Sequence, residues 1–574
     1  MGIRSFLAAS ERASYVDCFR CMAWPVVYSD LWVLGFIVTA LGVTYLIPSL
    51  LVRWMLGTTA CGALLAYGSD IAVTSLLNRR LHLEDAINYG TEVDTATTGA
   101  SLIAANPVGA GVLALSLSAM VILAWGFWSY KAETSSRKPQ GLLLTALGAT
   151  FFALAFLNSG TQYFDGEHYE NVFLINGSNT TGNLHSESFL SQIDASYRYQ
   201  SKEIQGQGKQ LSIIVIAIES WSLHHSALLS VINNWTPRLD RQAERGGWFP
   251  NFYSNGYSTE TGLIALLGGT LPIPTHKGWG VLAYDKAEQD VFRTLASAGF
   301  STAFFTNGNL NFGDKGKWLK AIGVDYVEGS THEAYDGHSR GPFDAASDRI
   351  LVDRFLSWYD SERGENPFFA TVLNVGTHPP FTDVDDSDAN LPGEENAFAR
   401  IDRHIDYLIS ELDGRNFLET GLIFVVGDHR AMTPVSPEEM WAIGDSGLNR
   451  VPAFVLSKVE LPRGKIAAMF QQTDLVPSVL QLVLEDSCKA NWQGTMFTTP
   501  PNPPNEIIYM HPRKRDEVQV IQNGGTFSLK LDGDATRWLG NEPENAGELR
   551  KQIILQRVST DPDSPYQANF GCSS

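Results

Sequence analysis

Cysteine is scarce in this chain. Five occur among 574 residues, at 18, 21, 61, 488 and 572, too few for a disulfide framework or a cysteine-rich metal module. Positive charge is short as well. Lys and Arg number 42 against 62 Asp and Glu, a net charge of −20 that argues against a nucleic-acid partner. Charged residues of both signs make up only 18% of the chain, against 44% hydrophobic, a balance that fits a protein lying partly in a membrane and partly in water. The length leaves room for more than one domain.

Long apolar runs fill the first quarter. Residues 31–52, 55–77, 109–130 and 141–158 are four stretches at or near spanning length, the second interrupted by Asp70. A cleaved signal peptide has a single, shorter apolar core. Lys131, Arg137 and Lys138 predict a cytoplasmic loop between the third and fourth runs, and hence an extracytoplasmic location for everything after residue 158. Arg4, Arg12 and Arg20 also favour the cytoplasm, which four spans cannot satisfy; a fifth, less apolar span or a re-entrant piece within 1–30 or 84–108 would. Asp70 reads as a carboxylate that snorkels or pairs near a helix end in preference to one lining a lipid-headgroup pocket. The domain reading is a transmembrane helical bundle over 1–160, a linker over 161–210 with an interfacial helix at 188–200, an α/β domain over 211–500, and strands, a helix and a tail over 501–574.

From residue 211 the pattern alternates. Strands are predicted at 211–218, 302–305, 368–373 and 422–426, each a β-branched or aromatic apolar run of the kind buried on both faces. Helical patterns lie at 237–245, 290–299, 346–359, 396–413 and 473–484. Such alternation predicts a mostly parallel central sheet. In open α/β sheets ligands bind beyond the carboxyl ends of the strands. Three of these strands run directly into polar residues: Glu219, then His378 in Asn-Val-Gly-Thr-His-Pro-Pro-Phe, then Asp428-His429. Each alone has an ordinary reading, as the partner of an arginine, a core histidine or a helix cap. Together they are the ligand types of a divalent cation at a hydrolytic or transfer site.

A fourth element joins them. Residues 251–268 pass from aromatic and turn residues into an apolar run, with Thr259 at the change. A helix starting there would aim its free N–H groups and positive dipole end at the Thr259 hydroxyl, a seat for phosphate. Taken by itself, a Ser or Thr at this point is most often only an N-cap.

The ordered set Ile-Ala-Ile-Glu219-Ser, Asn-Gly-Tyr-Ser-Thr259-Glu-Thr-Gly-Leu, Val-Gly-Thr-His378-Pro-Pro-Phe and Val-Val-Gly-Asp428-His429 resembles the lipoteichoic acid synthase and phosphoglycerol transferase family, in the sulfatase-like branch of the alkaline phosphatase superfamily. The segments Thr236-Pro-Arg-Leu-Asp240 and Thr473-Asp474-Leu-Val-Pro-Ser-Val-Leu resemble its structural helices. The resemblance covers roughly residues 211–496 and the overall layout of membrane spans followed by an extracytoplasmic α/β domain. It implies that Glu219, Thr259, Asp428 and His429 hold one divalent ion, Mn2+ or Mg2+, that Thr259 is the nucleophile, and that His378 contacts the substrate. It departs at Ser258, where relatives often carry a basic residue, and at 307–318, where the headgroup-binding Trp and Arg have no clear match; Lys315 stands in for the Arg. Ser258, His378 and Lys315 are thus the expected substrate side.

The implied activity is transfer of glycerol phosphate from a phosphatidylglycerol-type lipid to a glycan or glycerol-phosphate acceptor, through a phospho-threonine, by an enzyme of the bacterial cell membrane with a periplasmic catalytic domain. The alternatives are a phosphoethanolamine transferase, a sulfatase-like phosphodiesterase or hydrolase, and an anchored sensor. Sulfatases of this fold need a Cys or Ser in Cys/Ser-x-Pro-x-Arg, whereas Thr259-Glu-Thr-Gly-Leu offers neither. Phosphoethanolamine transferases carry a multi-disulfide zinc domain that five cysteines cannot build. A sensor would not need Glu219, Thr259, Asp428 and His429 intact.

In an oxidising compartment Cys488 and Cys572 are eligible for a disulfide, for which the sequence supplies no distance. The spacing of Cys18 and Cys21 lacks a βαβ context and carries no weight. Residues 506–510 and 518–530, the latter turning at Asn-Gly-Gly, are predicted as late edge strands. Asn176 and Asn179 match glycosylation acceptors, discounted because the resemblance is to bacterial enzymes.

Overall fold

The computed structural model describes residues 19–47, 49–77, 80–83, 107–128, 138–157, 171–177, 185–186, 188–189, 202–273, 291–379, 381, 393–433, 436–444, 449–490, 494–511, 516–522, 524–559 and 571–572. The chain divides into two compact units, Met1–Asn179 with Thr433–Trp441, and Thr180–Met432 with Ala442–Ser574.

The first unit is helical: α1 (Phe19–Leu46), α2 (Leu50–Leu77), α3 (Pro107–Trp128) and α4 (Lys138–Leu157). Val27–Leu46, Leu50–Ile71 and Lys138–Leu157 are long and apolar enough to cross a membrane, and α3 adds a fourth helix of 22 residues. The first two boundaries differ from expectation. The apolar run 31–52 is not one span, because α1 ends before Pro48 and residues 50–52 open α2. Proline disfavours helical backbone in the residue before it, so the break falls where an apolar count sees none. α1 packs on α4, and α2 on α3. Small residues line the first contact: a Cβ added at Gly42 would overlap Thr145, and one at Gly148 would overlap Thr39, so the helices approach closely, as membrane helices do through small residues.

Asp70 takes the ordinary alternative. Arg80 pairs with it at 2.7 Å and the Leu81 N–H donates to it at 3.0 Å, with both charged side chains buried. Asn176 is likewise structural, donating to Leu81 O at 2.9 Å and to Val172 O at 2.8 Å. Of the two places for a fifth span, 1–30 is described only from residue 19, which opens α1, and 84–108 only at 107–108, which open α3; the interfacial helix at 188–200 lies outside the described residues beyond 188–189.

The second unit is built on a sheet of eight strands. In chain order these are β1 (Ser212–Ile218), β2 (Gly247–Trp248), β3 (Ser301–Thr306), β4 (Tyr326–Glu328), β5 (Phe368–Leu373), β6 (Gly421–Gly427), β7 (Ala453–Leu456) and β8 (Gly464–Lys465). Their spatial order is β8-β2-β7-β6-β1-β5-β3-β4. The five strands from β6 to β4 pair in parallel, and β7 runs antiparallel to β6. The helices include α5 (Pro237–Arg245), α6 (Thr259–Gly268), α7 (Val291–Ser297), α8 (Lys315–Ala321), α9 (Asp348–Ser361), α10 (Gly393–Gly414) and α11 (Leu475–Val483).

The continuous apolar character of β1 follows from burial on both faces. Ile213, Val215 and Ala217 enter one core with α6, α7 and α11, while Ile214, Ile216 and Ile218 enter the other with α5, α9 and α10. Each of the isoleucines and the valine, fully removed from water, contributes roughly 1.5–3 kcal/mol.

The late strands are not edges of this sheet. β9 (Ile507–Met510), β10 (Glu517–Gln522), β11 (Gly525–Lys530) and β12 (Arg537–Leu539) form a separate antiparallel sheet, packed with α12 (Ala546–Ser559) around a core of its own that includes Tyr257 and Leu271. On the β6 side the parallel array is continued by β7, β2 and β8, and on the other side β4 is the edge strand. Strands 202–204, 488–490 and 571–572 make a third small sheet. Its backbone register makes Cys488 and Cys572 direct Cα partners.

Candidate active site

β6, β1 and β5 are adjacent and parallel, so their carboxyl ends lie side by side. Ile218 pairs with Gly427 and Ala217 with Leu373, which brings Glu219, Asp428 and Asn374 level with one another at the same rim. Ser220 follows Glu219 with φ 59°, a left-handed conformation uncommon outside glycine, and it turns the chain sharply off the strand. The Ser220 N–H then donates to Asp428 Oδ1 at 2.7 Å, and the His429 N–H donates to the same oxygen at 2.7 Å.

Thr259 reaches this rim from α6. The hydroxyl nearest the helix end that does the capping belongs to Ser258, which accepts the Thr261 N–H at 3.4 Å, and the Thr261 hydroxyl lies 3.0 Å from Ser258 Oγ. Thr259 is therefore released from the capping role that helix-start threonines usually have. Its Oγ1 donates to Glu219 Oε2 at 2.8 Å and lies 3.5 Å from His429 Nε2. Ser258, also expected on the substrate side, caps the helix. The loop that carries Thr259 is anchored from behind by Asn255, fully buried, whose amide donates to Gln471 Oε1 at 2.9 Å and Ile508 O at 2.6 Å. Gly262 allows α6 to approach, since an added Cβ would overlap the Asp428 carbonyl.

The electrostatics are those of a cation site. His429 Nε2 lies 3.3 Å from Glu219 Oε1 and 3.5 Å from Asp428 Oδ2, and all three side chains are almost wholly buried. These edges are close to the roughly 3.0–3.4 Å between ligand atoms around an ion with bonds of about 2.0–2.1 Å. His429 Nδ1 lies 2.7 Å from the Arg430 carbonyl, which can only accept, so Nδ1 carries the proton and Nε2 presents its lone pair to the site. Asp428 Oδ2 is buried with no hydrogen-bond donor. Burial and the neighbouring Glu219 charge push the Asp428 carboxyl well above the ordinary range. Burial would also raise Glu219, but when no ion is bound and His429 is protonated on Nε2 as well as Nδ1, the hydrogen bond and charge of that imidazolium outweigh burial and hold the Glu219 carboxyl low. Two carboxylates with one oxygen unsatisfied, and an imidazole nitrogen facing them, fit a divalent metal; Glu219, Asp428 and His429 would hold it, with Thr259 Oγ1 beside them.

The loop after β5 and the segment before α8 carry the residues expected on the substrate side. His378 Nδ1 lies 2.6 Å from the Pro379 carbonyl, so Nδ1 donates and Nε2 is the basic nitrogen. Burial lowers the His378 pKa against the pull of the Glu219 charge, which keeps the ring neutral. Its ring meets Phe343 edge-on at 4.5 Å, and Phe343 meets Phe312 at 4.9 Å. Phe343 holds φ 60° and Asp344 φ 53°, two consecutive left-handed residues that fix this aromatic wall. Lys315, at the first residue of α8, is nearly buried 5.7 Å from the Phe312 ring centroid, and its charge is felt by His378. Phe312, Phe343 and Asn374 were missed in the sequence; of these only Asn374, the residue directly after a predicted strand, carried a signal.

A second cluster of metal-type side chains, His224, His225 and Glu394, meets on the loop after β1 and the start of α10. His225 Nδ1 accepts the Ser222 N–H at 3.1 Å, which leaves its Nε2 as the donor, 3.1 Å from Glu394 Oε1. That nitrogen has no lone pair to offer a cation, so the cluster reads as a hydrogen-bonded clamp between loop and helix.

The family model described as Sulfatase matches residues 212–484. This stretch forms a sulfatase-like domain. A protein of the alkaline phosphatase superfamily from Vibrio parahaemolyticus shares the fold, with a TM-score of 0.50 at 17% identity over 66% of this chain and 97% of that one. The lipoteichoic acid synthase LtaP from Listeria monocytogenes aligns at a TM-score of 0.45 and 18% identity over 62% of this chain and 91% of its own. The PsFucS1 sulfatase from Pseudoalteromonas sp. aligns at 0.41 and 15%, over 67% and 95%. No curated protein matches the chain in sequence. The sulfatase-like domain thus coincides with the eight-stranded sheet and its rim of Glu219, Thr259, His378, Asp428 and His429.

Proposed function

We propose that the chain is a membrane-anchored, divalent-metal-dependent transferase that moves glycerol phosphate from a phosphatidylglycerol-type lipid to an extracytoplasmic glycan or glycerol-phosphate acceptor. The observation that carries the proposal is the Thr259 hydroxyl, free of its helix cap and 2.8 Å from Glu219 Oε2 beside Asp428 and His429. A bound Mn2+ or Mg2+ would lower the pKa of that hydroxyl and offset charge on the phosphoryl oxygens. Thr259 Oγ1 attacks phosphorus, its proton passing to Glu219, and the bond from phosphorus to the diacylglycerol oxygen breaks; the departing oxygen takes up a proton from water. Glycerol phosphate is left on Thr259. In the second half an acceptor hydroxyl attacks, giving its proton to neutral His378 Nε2, and the bond to Thr259 breaks, Thr259 Oγ1 taking back the proton held on Glu219. Lys315 and the Phe312–Phe343 wall border the place where the phosphate and glycerol would sit.

Apolar helices at the N-terminus suit a lipid donor, because they keep the catalytic unit at a bilayer. A threonine nucleophile supports phosphoryl over sulfuryl transfer, since formylglycine is made from Cys or Ser. Headgroup-labelled phosphatidylglycerol incubated with the full-length protein and Mn2+ should release diacylglycerol and label Thr259 in a trapped sample. Release from phosphatidylethanolamine alone, or hydrolysis of a sulfate ester without lipid turnover, would transfer the assignment to a phosphoethanolamine transferase or to a sulfatase.

A further inference from the structure

Asp348 lies at the first residue of α9, far from the motifs around Glu219 and Thr259 in sequence, and it is buried. Its helix end is capped by the neighbouring Ser347, which accepts the Arg349 N–H at 3.2 Å. The Asp348 carboxylate is thereby available to neighbours outside its own helix. Oδ1 accepts from Asn307 Nδ2 at 2.8 Å, from the Gly376 N–H at 3.0 Å and from the Val375 N–H at 3.3 Å. Oδ2 accepts from Asn374 Nδ2 at 3.0 Å. Asn374 in turn accepts the Glu219 N–H on its Oδ1 at 3.0 Å, and its Nδ2 donates to Thr377 Oγ1 at 2.9 Å. The Thr377 hydroxyl donates to the Glu219 carbonyl at 2.6 Å. Contact with the loop is so close that a Cβ on Gly376 would lie 2.5 Å from Asp348 Oδ2.

We infer that Asp348 is a positioning residue for the metal site. Through Asn374 and Thr377 it holds both backbone polar groups of Glu219, and through Val375 and Gly376 it holds the loop that carries His378. The inference rests on the metal reading of Glu219, Asp428 and His429. The chemistry of the link makes it sensitive to a single atom. In Asp348→Asn the oxygen can stay with its three donors, but the new amide NH2 then faces Asn374 Nδ2, donor against donor. If Asn374 flips to relieve this, its NH2 faces the Glu219 N–H. Either way the link to Glu219 breaks with almost no change of volume.

The test is Mn2+ affinity of the full-length, detergent-solubilised protein, measured by calorimetry or by the free-ion resonance signal, beside thermal unfolding without metal. Wild type should bind one ion per chain. Asp348→Asn should bind it about 10–100-fold more weakly, the size of effect seen when groups behind a ligand are altered. Asp348→Asn combined with Asn374→Asp restores an NH2 opposite a carboxylate oxygen and an acceptor for the Glu219 N–H, and should recover at least part of the affinity. A role in stability alone would lower the unfolding temperature and leave the affinity of the folded protein unchanged, and that result would overturn the inference; so would a double variant no better than Asp348→Asn. If Asp348→Asn does not fold, Asn374→Ala interrupts the same link and carries the same expectation. A wild-type chain that takes up no Mn2+ would instead overturn the metal reading, and this inference with it.

Discussion

Thr259 Oγ1 donates a hydrogen bond to Glu219 Oε2 at 2.8 Å, joining the first residue of a helix to the first residue beyond a strand. The contact is possible because Ser258 and Thr261 satisfy the helix end between them. Thr259→Ala should therefore leave the cap and the fold intact. Turnover of labelled lipid should fall by on the order of 10⁴-fold or more, as for loss of other covalent nucleophiles, with an unfolding temperature near wild type. Thr259→Ser should retain part of the activity. Full diacylglycerol release by the alanine variant would remove the covalent route.

Asp428 combines a satisfied oxygen with an unsatisfied one. Oδ1 takes the Ser220 and His429 N–H groups, while Oδ2 is buried without a donor and close to Glu219. Asp428→Asn keeps the first set and places an NH2 where the cation would lie. Metal-free Asp428→Asn should unfold at or above the wild-type temperature, since the amide replaces a carboxyl whose ionised form is opposed by burial and by the Glu219 charge. Added Mn2+ should raise the wild-type temperature by mass action and leave the variant unmoved. Equal metal-induced shifts in both proteins would count against the site.

Gly262 faces the Asp428 carbonyl at a distance that excludes a side chain. Gly262→Ala must displace α6 from the end of β6, carrying Thr259 with it. Overpacking of this kind costs about 1–3 kcal/mol. Lipid turnover should fall well beyond what the lost stability explains, and Gly268→Ala, in the same helix but facing open space, is the control for helix propensity.

Asp474 supplies a pH dependence of stability. Burial raises its carboxyl to about 7, against the opposing Gln471 and Gly494 N–H groups, from an ordinary value of 3.8. Because the folded state holds the proton more tightly, this contribution is fully present below about 3.8 and is lost as pH rises towards 7. The slope at its steepest is about 1.4 kcal/mol per pH unit. Thermal unfolding between pH 4.5 and 8 should show a falling limb that is flattened in Asp474→Asn; an unchanged limb in that variant would assign the effect elsewhere.

Much of this was legible from sequence because it is periodic or positional. Uncharged runs of spanning length are written directly in composition, and the boundary error at Pro48 arose because an apolar count is blind to backbone geometry. The continuous apolar character of 211–218 announced a strand covered on both faces, and with parallel strands the residues following 218, 373 and 427 had to share a rim. The small antiparallel sheet of β9–β12 was read as edge strands because strand character says nothing about which neighbour a strand will choose.

The chain by itself therefore determined the alternation of strands and helices and the delivery of Glu219, His378, Asp428 and His429 to strand ends. Tertiary structure decided how their hydrogen-bonding capacity is spent: which of Ser258 and Thr259 caps the helix, which nitrogen of His378 and His429 stays basic, and that Asp348 reaches Glu219 through Asn374. Such allocations depend on groups that meet only after folding. A side chain's donors and acceptors are fixed by its type, but their partners are fixed by position in space.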